Sequence, residues 1–161
     1  MNYQPGHPHG FCSAIWMGEV ALCAPLLDPT GAIADLKRQT WPFPAALRDA
    51  LMARFHWEVL FSVENAETAV TRGEQTHIAG CIYRALCCIA QVLFAANMRY
   101  LINEKGALTE VETFPFTIPD AVQRASDIWS AVGCEDFNSA LRVLRGMAAD
   151  LDIVVGQSRP R

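Results

Sequence analysis

The residues best suited to chemistry crowd one short stretch. Asn97, Arg99, Tyr100, Asn103, Glu104, Lys105 and Gly106 all fall between positions 97 and 106. Amides, a phenol and an ammonium group can together hold the polar parts of a small ligand, and Tyr100, Asn103 and Lys105 are the candidates to line such a cleft. The same run also suits a helix end. Lys105 would complement the negative end of the helix dipole, and Gly106 would supply the left-handed cap. Both readings stay open on residue chemistry alone.

Arg84 and Gln91 lie seven residues apart, so they share a helical face, and His77 extends the line. An arginine within an apolar helix needs a partner. That partner is either a carboxylate on the preceding helix, Glu58 or Glu64, or an anionic ligand. His7 and His9 would share a face if extended, and Cys12 or Glu19 could add a third metal ligand. The intervening Pro8 and the missing fourth ligand favour a polar loop instead. Asp150-Leu151-Asp152 has the spacing of a metal-binding strand. It also continues the helical stripe Leu141, Leu144, Ala148 and Leu151, and on a helix the two carboxylates diverge by about 200°. We read a helix there. No P-loop, GxSxG, HExxH or GxGxxG motif occurs, and the Arg-x4-6-His ribonuclease motif of some helical domains is not expected either.

These side chains need elements to position them. Phe11 to Leu27 mixes β-branched, aromatic and alanine residues, with interruptions at Gly18, Glu19 and Pro25, which predicts short strands. Asp28-Pro29-Thr30-Gly31 predicts a turn, followed by two helical turns over 32–39. Trp41-Pro42-Phe43-Pro44 breaks that helix, and Pro44 can open the next. Leu47, Leu51, Phe55, Val59 and Val63 then recur at four-residue steps, predicting a helix to about Arg72 with Gly73 as its cap. A long helix over about 75–98 is apolar almost all round and must therefore be buried. A single turn or irregular segment spans 107–117, a helix runs from Pro119 to Gly133, and a last helix covers about 135–155 before a polar tail. The fold class is mainly α: a helical bundle of four or more helices around the 76–98 helix, with a short N-terminal extended or β region. Residues 1–40 form that region and a connecting helix, 41–156 the bundle and 157–161 the tail.

Bulk composition narrows the functions. A chain of 161 residues can bury a core without staples. Its net charge of −4 and the absence of a basic stripe argue against nucleic acid as a partner. Its six cysteines contain no CxxC pair, which points away from a zinc ribbon or thioredoxin-like site and toward reduced thiols in a cytoplasmic protein. No signal peptide is expected, since the first basic residue is Lys37. The apolar window from Ile78 to Met98 carries Arg84 and Gln91, so a buried helix is expected in place of a membrane span. A 52% hydrophobic content leaves room for an apolar interface.

Several blocks carry a resemblance. Gly6-His7-Pro8-His9-Gly10-Phe11, Met17-Gly18-Glu19-Val20 and Leu27-Asp28-Pro29-Thr30-Gly31 resemble the rear part of bacterial nucleotidyltransferases of the polymerase-β-like superfamily. Tyr83-Arg84, Gln91 to Asn97 and Arg99 to Gly106 resemble their helical C-terminal domain. The likeness spans nearly the whole chain, and its most specific piece is Leu-Phe-Ala-x-Asn-x-x-Tyr-x-x-Asn-Glu-Lys-Gly. It implies a substrate-side helical domain. Tyr100, Asn103 and Lys105 would shape the acceptor side, Arg84 would brace it, Gln91 would be a further substrate-binding residue, and Glu19 would be a residual carboxylate. The family's Gly-Ser turn and Asp-x-Asp strand do not precede residue 77. The resemblance therefore implies no cofactor for this chain alone, and Mg²⁺ with a nucleoside triphosphate only if a catalytic half is supplied. Partners would be a small acceptor and a catalytic chain or second copy. The alternative is a non-enzymatic helical interaction module.

Overall fold

The computed structural model describes residues 14–158, within which there are seven helices and no strand. They are α1 (Ala14–Leu22), α2 (Ala32–Thr40), α3 (Ala45–Val70), α4 (Gln75–Ala96), α5 (Ala107–Val111), α6 (Ala121–Gly133) and α7 (Phe137–Ser158). The bundle is mainly α, as the periodicity implied.

Two helical hairpins form its body. The first joins α3 to α4. Gly73 takes φ 65°, and the Glu74 N–H returns to the Ala69 carbonyl, closing the turn that the glycine predicted. The second joins α6 to α7. Glu135 occupies the left-handed region at φ 58°, the Asp136 N–H reaches the Ala131 carbonyl at 2.9 Å, and the Asp136 carboxylate accepts the Ser139 N–H at 3.0 Å to start α7. Helix α7 packs on both α3 and α4. It runs antiparallel to α3, because Glu67 meets Arg145 while His56 meets Asp152.

Helix α4 is the central element, touching α3, α5, α6 and α7. Its two halves differ. Gln75, Thr76, His77, Gly80, Tyr83 and Arg84 are exposed along its first half, whereas every residue from Ala85 to Ala96 except Cys87 is buried. The line His77–Arg84–Gln91 therefore runs from solvent into the core. By length and hydropathy α4 could cross a membrane, and 67% of its apolar window is buried against the rest of the chain. Val63, Ile82, Ile89, Leu93, Leu144, Met147 and Leu151 are fully enclosed and supply most of the hydrophobic drive.

Three expectations need correction. Residues 14–22 are helical, not extended. Ala, Met, Glu and Leu favour a helix there, and three carbonyls at its end, those of Val20, Ala21 and Cys23, accept from the Lys37 ammonium group. Gly18 is not a strand break: a Cβ on it would lie 2.7 Å from Ile102 Cδ1 and 3.0 Å from Tyr100 Cβ, so it lets α1 lie directly on the 100–102 segment. The presumed polar tail is partly helix, since α7 continues through Ser158. The expected strand over 11–13, with His7, His9 and Cys12, lies outside the described residues.

Candidate functional site

The 97–106 stretch begins where α4 ends. The left-handed cap is Met98 at φ 56°, with the Arg99 N–H bonded to the Phe94 carbonyl at 2.9 Å. The expectation that Lys105 and Gly106 end this helix is thus corrected. Gly106, at φ 73°, precedes α5. Met98 carries no sequence signal for the left-handed region.

The polar side chains of this stretch mostly face the protein. Asn97 donates to the Leu93 and Phe116 carbonyls, both at 2.7 Å, and accepts the Phe116 N–H at 3.1 Å. It pairs both backbone groups of Phe116 as a neighbouring strand would, and so fixes the loop between α5 and α6. Tyr100 is buried, its hydroxyl donating to the Thr40 carbonyl at 2.7 Å and its ring 4.5 Å from that of Phe43. This ties the end of α2 to the end of α4. Burial pushes the Tyr100 phenol upward from its ordinary range. Arg99 lies over the Phe114 ring at 4.6 Å and 3.7 Å from Glu110. Asn103 and Lys105 are exposed, and the Asn103 amide oxygen accepts the Lys105 N–H at 2.9 Å. That is a local turn.

Arg84 meets a protein carboxylate. Glu58 on α3 is buried, with only 5% of its side chain exposed, and it receives Arg84 from α4 and Arg54 from its own helix, the latter at 3.2 Å. The arginine was expected to be the buried member. It is Glu58 that is buried, while Arg84 keeps 49% of its side chain in solvent. Gln91 is enclosed within α4. Glu19 is exposed on α1. The six candidates Glu19, Arg84, Gln91, Tyr100, Asn103 and Lys105 thus include two enclosed in the packing and one committed to Glu58. Of the rest, only Asn103 and Lys105 stand together.

No protein-family model, curated protein or solved structure matches this chain.

The two aspartates of the Asp-x-Asp run diverge, as a helix requires. Asp150 bonds Arg124 of α6 at 2.5 Å, and Asp152 bonds His56 of α3 at 2.6 Å. Among the described residues no group of three or more His, Cys, Asp or Glu side chains could hold a metal. The thiols of Cys87 and Cys88 are raised first by burial, Cys88 to about 12, so neither is an activated nucleophile.

Sequence reasoning missed two places. A cavity of about 380 Å³ opens between the start of α3 and the end of α7, lined by Arg48, Asp49, Met52, His56, Val155 and Ser158. The Arg48 guanidinium is already held by Asp49 through two bonds of 2.7 and 2.9 Å. His56 and Asp152 are 96 positions apart, and no spacing rule links them. At the α3–α4 turn, Arg72 and His77 have four residues between them and are both exposed. That is an Arg-x4-6-His spacing, and the expectation that the chain lacks this ribonuclease motif is thereby corrected. Here Arg72 is bonded to Glu74 at 2.7 Å, and His77 lies 3.6 Å from Cys81.

Proposed function

We propose that this chain is a non-enzymatic helical interaction module, which works by burying the outer face of α3 against another protein. The supporting observation is an exposed apolar row on a rigid helix. Trp57, Leu60 and Phe61 are 56%, 36% and 41% exposed, and the Trp57 and Phe61 rings stack at 4.8 Å with 17° between their planes. Singly scattered exposed apolar residues need no explanation, whereas adjacent ones such as these support the reading of an interaction surface. Aromatic residues are also the commonest anchors of protein interfaces. The face is held firm on both edges: Glu58 and Arg84 fasten α3 to α4, while His56–Asp152 and Glu67–Arg145 fasten it to α7. A photo-crosslinking residue at Leu60, in the cell that encodes the chain, should capture protein adducts. The same residue at exposed Gln123 on α6 serves as the control. Equal labelling at the two positions would defeat the reading.

A second reading, the substrate-side domain of a nucleotidyltransferase, draws on the sequence resemblance and on the joint exposure of Asn103 and Lys105. Its test is calorimetric titration with an aminoglycoside, the acceptor that some members of the resembled family modify, with and without Mg²⁺-ATP. Binding heat that vanishes in the Asn103→Ala/Lys105→Ala chain would promote this reading.

A further inference from the structure

Opposite charges flank the aromatic row of α3. Arg54 precedes Trp57 by three residues, and Glu64 follows Phe61 by three. All four residues are exposed on α3. Reversing the helix therefore exchanges the positive and negative ends while leaving aromatic opposite aromatic. Such a pattern is its own complement under a two-fold axis, where a surface patch must match itself. We propose that the partner is a second copy of this chain, with the two α3 helices packed antiparallel. Trp57 of each protomer lies against the partner's Phe61, and Arg54 against the partner's Glu64. This rests on the interaction-module reading and names its partner.

The surrounding residues agree with the arrangement. A parallel pair would set Arg54 on the partner's Arg54 and Glu64 on the partner's Glu64. The antiparallel pair gives two attractive contacts in place of two repulsive ones. Arg54 contacts buried Glu58 at 3.2 Å and still keeps 42% of its side chain exposed. A guanidinium has donors enough for both carboxylates. The Trp57 and Phe61 rings already cover one face of each other, so the contact across the axis is made by their exposed edges and outer faces, in the edge-to-face or offset geometry that aromatic rings prefer. Ala50 and Ala53, also exposed, leave space at one end for the opposing helix. One helix face buries less than the roughly 1,600 Å² of a standard interface, so the dimer belongs to the weak, micromolar class.

The test is sedimentation velocity on the full chain through the micromolar range. Wild type, Arg54→Glu, Glu64→Lys and an equimolar mixture of the two variants are compared. Each variant alone places like charges at both contacts and should raise the dimer dissociation constant roughly tenfold or more. The mixture places opposite charges at both and should return to within about threefold of wild type. A wild-type chain that stays monomeric, or a mixture no better than its components, overturns the proposal. Arg54→Glu sets a second carboxylate beside Glu58. If circular dichroism shows that it has lost helix, the register is read instead by a photo-crosslinking residue at Trp57. Its adduct should map to α3 of a second copy, and attachment elsewhere on the copy overturns the proposal. In-cell capture at Leu60 by a different protein would refute self-association while leaving the module reading intact.

Discussion

The Glu58 site allows a sharp test of which groups stabilise the fold. The carboxylate is 5% exposed, while Arg54 and Arg84 are 42% and 49% exposed. The cost of breaking the cluster should therefore depend on which member is removed. Glu58→Met leaves two guanidinium groups that can return to water, and an apolar side chain of similar volume where the carboxylate was. Replacing a buried ion pair in this way is often neutral or stabilising, so the change should lie within about 1 kcal/mol of wild type. Arg84→Met leaves Arg54 in place and should cost roughly 1 kcal/mol. Arg54→Met/Arg84→Met strands the carboxylate, which should cost about 3–5 kcal/mol. For a chain of this size that is a Tm lower by roughly 6–20 °C. Urea unfolding followed by circular dichroism, in solutions dilute enough to hold the chain monomeric, measures all three. The reasoning is refuted if Glu58→Met costs as much as the double arginine variant, since burial of the carboxylate would then not set the energetics. It is equally refuted if the double variant costs under about 1 kcal/mol.

Three further outcomes follow from the same packing. Tyr100→Phe leaves the Thr40 carbonyl without its 2.7 Å donor and should destabilise by about 1–3 kcal/mol in urea melts, a loss too large for an exposed ligand-binding phenol. Asn97→Ala removes both bonds to the Phe116 backbone, so hydrogen exchange should quicken at Phe116 well before it quickens in α4. The Asp136 carboxyl is held below its ordinary 3.8, first by its side-chain hydrogen bond with Ser139 and then by the Ser139 N–H. A lowered folded-state value means that its contribution is present above the unfolded value and lost as pH falls through the folded one. The stability gap between wild type and Asp136→Ala should therefore be constant at neutral pH and close below about pH 3.8.

Much of the bundle was legible because its cues are local. The apolar four-residue steps of Leu51, Phe55, Val59 and Val63 specify α3, and Gly73 ends it where a left-handed residue is needed. The near-continuous apolar run to Ala96 specifies α4 as the central helix. Asp150 and Asp152 read correctly as helical because Leu141, Leu144 and Leu151 share a stripe. Residues 14–22 were misread because Gly18 looked like an interruption. Its meaning comes from Tyr100 and Ile102, more than eighty residues away. The cap at Met98 was missed for a related reason, since tertiary context holds a non-glycine residue in the left-handed region there.

The candidate site was less legible than the fold. Residue type alone selected Tyr100, Gln91 and Arg84 as groups able to bind a ligand, and selected Glu58 as one of two possible partners for Arg84. Whether a polar group faces solvent or the protein depends on which helix lies beside it. Packing sends the Tyr100 hydroxyl to Thr40 and brings His56 to Asp152 across 96 positions. By itself the sequence determined α2, α3, α4, α6 and α7, their order and the burial of the second half of α4, because periodicity and turn chemistry act over a few residues. Only the tertiary structure decided that Glu58, not Arg84, is the buried charge, and that the aromatic row of α3 faces outward, because both depend on the angle at which α3 meets α4 and α7.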